Sequence, residues 1–234
     1  MTAPMQSLEF ADAREAADLG AFLARLIHYD RAAAVRLQAG DGALAVFGRP
    51  ASFEVLAIRT ARLAAPGPLR LDITVSAGEL LESLDEPAGS AVVPDAVTGP
   101  PWAGVLPPRG GWRQRAGLPD EETVRGALAA AVAEFRARDE RLTPETRTRA
   151  ERDRIGREIW SRTLGDTGLP LRAVHAAQSL GFLRPVRAGV PAGAAPPEEP
   201  LALLECGGWL RLRTPYGSIA VRRAGLGGLT VTPA

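Results

Sequence analysis

Between Phe10 and Tyr29 the large apolar residues Leu19, Phe22, Leu23, Leu26 and Ile27 recur at helical spacing, with Asp12, Arg14, Glu15, Asp18 and Arg25 at other positions. That period predicts an amphipathic helix. The period then drops to two. Val35 and Leu37 alternate with Arg36 and Gln38, Asp41-Gly42 supplies a type I′ turn, and Leu44 and Val46 return on the same face, which predicts a hairpin. Residues Phe53–Leu63 read as a third strand. A fourth follows, with Leu69, Leu71, Ile73 and Val75 on one face and Arg70, Asp72 and Thr74 on the other. Ser76 and Glu79 then make an S-x-x-E capping box, opening a short helix through Leu80, Leu81 and Leu84. Residues 1–86 thus predict a four-stranded antiparallel sheet flanked by helices.

The pattern breaks over residues 87–119, a Pro/Gly-rich connection. Its centre, GPPWAGVLPPRGGW, runs from Gly99 to Trp112 and holds two of the four tryptophans of the chain. Neither helix nor strand accommodates so many prolines and glycines. A connection of this length stays ordered only if it fastens itself to the core, and Trp102 and Trp112 are the side chains able to do so. The same pair, beside Arg109 and Arg113, has the composition of a partner-binding surface.

Residues 120–223 predict a mainly helical part. Asp120 caps a helix striped by Val124, Ala127, Leu128, Ala131, Val132 and Phe135. Thr143-Pro144-Glu145 reads as a second helix start, leading into a charged helix whose Ala150, Ile155, Ile159, Trp160 and Leu164 can face a core. A shorter helix spans about Pro170 to Leu180, Ala188–Pro200 is a low-complexity loop, and Trp209–Arg223 forms a second hairpin turning at Pro215-Tyr216-Gly217. Residues 224–234 read as a frayed tail. The fold class expected is α+β, with that hairpin either a separate wing or an addition to the N-terminal sheet.

From Thr143 to Arg223 the order helix, turn, helix, loop, hairpin resembles that of winged-helix DNA-binding domains. The resemblance implies a helix on the major groove, with Arg172, His175 and Gln178 facing bases and Arg211, Arg213, Arg222 and Arg223 meeting phosphates. The run LDITVSAGELLESL, from Leu71 to Leu84, is similar to the strand-then-helix unit of DNA sliding clamps. That order also looks like secretion-chaperone and profilin-like folds, so it selects no function.

Composition narrows the chemistry. All 28 basic residues are arginine, and the chain has neither lysine nor asparagine, the mark of a GC-rich, actinobacteria-like bacterial genome. Lysine Schiff bases and a Walker lysine are excluded. A formal charge of +1 supplies no global field toward nucleic acid or membrane. With Cys206 the single cysteine and His28 and His175 the two histidines, neither an internal disulfide nor a Cys/His zinc cage can form. The start MTAPMQSLEF has no signal-peptide pattern and no run is long enough to span a bilayer, so a cytoplasmic protein without a membrane partner is expected. His28-Tyr29-Asp30 sits at a helix end, where a histidine meets the dipole, and Cys206 has no activating neighbour in its element. No catalytic, cofactor or metal site is assigned. The function expected is non-enzymatic binding or regulation through protein contacts. The alternatives are a DNA-associated regulator and an enzyme whose site is dispersed along the chain.

Overall fold

The computed structural model describes residues 6–65, 69–102, 104–184 and 201–223. The low-complexity loop and the tail expected at residues 224–234 lie outside them. The chain runs β1 (Ser7–Glu9), α1 (Ala13–Tyr29), β2 (Ala34–Gly40), β3 (Ala43–Gly48), β4 (Leu56–Arg62), β5 (Leu71–Ser76), α2 (Ala77–Glu82), β6 (Leu84–Asp85) and β7 (Ser90–Val92). It continues with β8 (Arg113–Gln114), α3 (Glu121–Glu140), α4 (Arg149–Ser161), α5 (Leu171–Ser179), β9 (Ala202–Cys206), β10 (Trp209–Thr214) and β11 (Gly217–Arg222).

Local signals act as their chemistry demands. The Asp12 carboxylate accepts from the Glu15 N–H at 3.0 Å and starts α1, which buries Leu19, Phe22, Leu23 and Leu26. Asp41 and Gly42 take φ values of 53° and 80°, as a type I′ turn requires. Ser76 caps α2 and Asp120 caps α3, each through the N–H three residues on.

The predicted four-stranded N-terminal sheet is corrected to half of a larger one. Eight strands lie in the antiparallel order β5-β2-β3-β4-β11-β10-β9-β8, beside a small sheet of β1, β7 and β6. The join is between β4 and β11, with Ile219 opposite Ala57. A hairpin left free as a wing would present two exposed edges, whereas here the outer edge of β11 pairs with β4 and that of β10 with β9. Leu56, Ala57 and Ile58 are all buried, as are Ile219, Ala220 and Val221. Consecutive buried residues mark a strand covered on both faces.

The start of the charged helix is also corrected. Thr143 to Thr148 makes a turn in which the Thr143 carbonyl accepts from Thr146 and Arg147, and the cap of α4 is Thr148, bonded by the Glu151 N–H at 3.2 Å. Along α4, Glu158 pairs with Arg154 and Arg162. Arg138 of α3 adds two bonds at 2.8 Å and, ahead of Arg162, holds the Glu158 carboxyl down to about 2.

One face of the sheet carries Val35, Leu37, Leu44, Val46, Leu210, Leu212 and Ile219 and packs into the main core with residues of all five helices. The Pro/Gly segment crosses the other face. Its Val97 N–H bonds the Thr74 carbonyl of β5 at 2.9 Å. Trp102, 9% exposed, forms a second cluster with Phe47, Leu56, Ile58 and Ala220. The chain then turns, Val105 and Leu106 both donating to the Trp102 carbonyl, and ends as β8 on β9. Six strand spacings would set β5 and β9 roughly 29 Å apart in a flat sheet. Yet Arg109 stands 3.9 Å from Asp72 of β5 while the adjacent Gly110 carbonyl accepts from the Cys206 thiol of β9 at 3.4 Å. The sheet therefore curls around this strap, in the sense of its natural twist.

Candidate functional site

The strap holds its two tryptophans differently. Trp102 is buried against the sheet, and among the described residues its Nε1–H has no acceptor. Trp112 is half-buried, with its Nε1–H donating to the Pro108 carbonyl at 2.9 Å and the Arg211 guanidinium carbon 5.8 Å from its ring centre. Around it stand Arg109, its side chain 82% exposed, and the exposed Arg113. Arg213 projects from the same face of β10 as Arg211, because both alternate with the core residues Leu210 and Leu212. Burial pushes the Asp72 carboxyl up, but hydrogen bonds from Arg36 and Gln38 outweigh it and hold the group below the usual carboxylate range.

Of the residues proposed from the winged-helix resemblance, Arg172 and Arg222 line one cleft, while the set as a whole is divided between two faces of the sheet. α5 lies on the helix-covered face, its Leu171, Ala173, Val174, Ala176 and Ala177 buried, whereas Arg211 and Arg213 lie on the strap face. His175 is stacked on Trp160 with ring centres 4.3 Å apart, and Phe53 meets it edge-on at 5.1 Å. Gln178 is exposed. Arg223 stands 3.7 Å from Glu205, and Arg222 stacks on Trp209 with its guanidinium carbon 4.9 Å from the ring centre.

Burial pushes the His175 imidazole below its ordinary pKa. A depressed folded pKa means that the unfolded chain takes up the proton first as pH falls, so the stability present above the ordinary histidine range is lost through the lowered folded value. Unfolding free energy, measured by urea denaturation, is expected to fall as the pH drops through and below the ordinary histidine range. In His175→Gln that dependence flattens; an unchanged profile would assign it to other groups.

Arg172, near the start of α5, turns toward a solvent-open cleft of about 810 Å³ at one end of the sheet. Its other walls come from the loop after α1, from residues Arg49 to Leu56, from the strap at Thr98–Pro100 and at Gly104 and Val105, and from Trp209 and Arg222. Asp30 and Glu54 are its acidic residues, and no histidine lines it. Sequence reasoning missed Arg49, whose neighbours Gly48 and Pro50 signal only a turn. Among the described residues no group of three or more His, Cys, Asp or Glu could hold a metal ion. No described helix is long and apolar enough to cross a membrane.

Two family models match this architecture. Residues 3–104 match the family described as Domain of unknown function (DUF8010), and residues 107–226, just over half the chain, match that described as Domain of unknown function (DUF8185). The chain belongs to the DUF8185 family. No curated protein and no solved structure matches it. The DUF8185 region supplies β8 to β11, and residues 3–104 supply the other four strands of the eight-stranded sheet. The two regions meet in the strap, next to the buried Trp102, and both line the cleft.

Proposed function

We propose that this member of the DUF8185 family is a non-enzymatic binding protein that acts through contact with another protein, with Trp112 at the centre of the contact. The observation that carries the reading is the division of labour along the strap, where Trp102 anchors the segment and Trp112 is left partly open between Arg109, Arg113 and Arg211. Trp and Arg dominate interface energetics, and a segment already fixed loses little entropy on binding. The strap is fixed at both ends and in the middle, so its contact surface is formed in advance. The arginines favour an acidic partner surface. We take the encounter to be cytoplasmic, since a chain with a single cysteine closes no internal disulfide and gains nothing from an oxidising compartment.

The DNA reading has weaker support, because α5 and the Arg211–Arg213 pair stand on opposite faces of one sheet. Affinity capture on the full chain, with and without nuclease, separates the two. Capture of a defined partner is expected to survive nuclease and to fall at least about tenfold in Trp112→Ala, the effect of losing one interface hot spot. Equal capture by wild type and Trp112→Ala would overturn the reading, and nuclease-sensitive capture would transfer it to nucleic acid.

A further inference from the structure

The cleft beside the strap is a separate matter from the Trp112 surface. Arg49, Arg172 and Arg222 line it, and among the described residues no carboxylate lies within 4.0 Å of their guanidinium groups. Elsewhere Arg36 is paired with Asp72, Arg59 with Glu15 and Arg138 with Glu158. Among the described residues Arg172 Nε is buried with no hydrogen-bond acceptor, as are Arg59 Nε and Arg125 Nε, and a buried unpaired donor is costly. Arg222 is held in place by stacking on Trp209 and by donating to the Gly104 carbonyl. Just behind the wall, the Trp102 Nε1 donor also lacks an acceptor; a Cβ added at Gly99 would stand 3.6 Å from it.

The same lining includes the apolar Val55, Leu56, Ala220 and Val221 and the Trp209 ring on which Arg222 stacks. We propose that the cleft binds an amphipathic organic monoanion, a carboxylate on an apolar body, with the head among Arg49, Arg172 and Arg222 and the body against Trp209 and Leu56. Guanidinium groups recognise carboxylates and phosphates alike through paired N–H donors. The charge of the cleft chooses between them. Among the described residues Asp30 and Glu54 offset two of the three arginines and leave a single net positive charge, matched to a carboxylate in preference to a phosphate dianion. A volume of about 810 Å³ accommodates such a body and falls in the usual range of small-molecule sites, roughly 300–1,000 Å³.

The test is a fluorescence titration of the full chain with anilinonaphthalene sulfonate, a monoanion on an aromatic body, at fixed ionic strength. Saturable binding is expected, displaced by decanoate but not by equal concentrations of inorganic phosphate or decanol. Arg49→Gln and Arg222→Gln, both at exposed positions, are each expected to weaken it at least about tenfold. Arg172→Gln should do the same, and if it fails to fold the other two still decide the matter. Arg109→Gln and Trp112→Ala leave it unchanged, which separates this site from the partner surface. Non-saturable binding, equal affinity in the cleft variants, or displacement by phosphate as strong as by decanoate would overturn the proposal.

Discussion

Replacing Trp102 with alanine is expected to destabilise the protein by about 3–5 kcal/mol, the cost of deleting a large buried aromatic side chain. Trp102 is the centre of the second cluster, between Phe47, Leu56 and Ile58 on one side of the sheet's join and Ala220 on the other. A fully buried indole removes roughly 150–250 Å² from water, which at about 25 cal/mol per Å² gives a term of the same size. For a chain of this length that loss lowers the melting temperature by roughly 10 °C. Trp102→Phe is expected to lose much less, because it keeps an aromatic filler and also removes the unpartnered Nε1 donor. Trp112→Ala serves as the control: its indole is half-buried and already bonded within the strap, so its effect on stability is small while its effect on partner capture is large. Urea denaturation of the three variants checks the ordering. Equal losses for Trp102→Ala and Trp112→Ala would show that the strap has no single anchor.

The sequence made legible whatever its periodicity or turn chemistry determined. Helix α1, the β2–β3 hairpin, β4, β5, α2, α3, α5 and the β10–β11 hairpin all follow from alternation or stripes, and Asp12, Asp41-Gly42, Ser76 and Asp120 punctuate them. Two bounds are corrected: β4 starts at Leu56, after a turn that takes Phe53, and α2 stops at Glu82, leaving Leu84 to β6. Strands β1, β6, β7 and β8 were not legible, because two or three residues carry no period. The join of the two halves left a readable trace that alternation alone obscured. Leu56-Ala57-Ile58 and Ile219-Ala220-Val221 are apolar at successive positions, as strands buried on both faces must be. Thr143 misled because Thr-Pro-Glu satisfies a helix start, while Thr148, five residues on, also offers a hydroxyl three residues before a glutamate. The cleft had no sequence signature at all. It assembles Asp30, Arg49, Arg172 and Arg222 from loops, a helix and a strand end far apart in the chain, and strand order and helix packing, not any local pattern, bring them together.

Replacing Arg59 with leucine is expected to cost about 3–5 kcal/mol, the loss that follows when one partner of a buried ion pair is removed. Arg59 is 6% exposed, beneath α1. It donates to Glu15 at 3.0 Å, to Asp18 at 3.5 Å and to the Tyr216 carbonyl at 3.1 Å. Arg184, stacked 3.9 Å over the Tyr216 ring centre, also reaches Asp18. Burial pulls the Arg59 pKa below its ordinary value; Asp18 and Glu15 oppose that pull, and Arg184 adds to it. The cluster thus links α1 and β4 to the turn between β10 and β11, on the far side of the join from Trp102. Leucine there leaves Glu15 and Asp18 partly buried, with only Arg62 and Arg184 to compensate them. The triple variant Arg59→Leu, Glu15→Leu, Asp18→Leu is therefore expected to recover most of the loss, since a whole buried cluster replaced by apolar groups is near neutral. Denaturation of the single and triple variants checks this. A single-variant loss under about 1 kcal/mol would show that Arg62 and Arg184 suffice to hold the two carboxylates and that Arg59 acts as a packed surface charge.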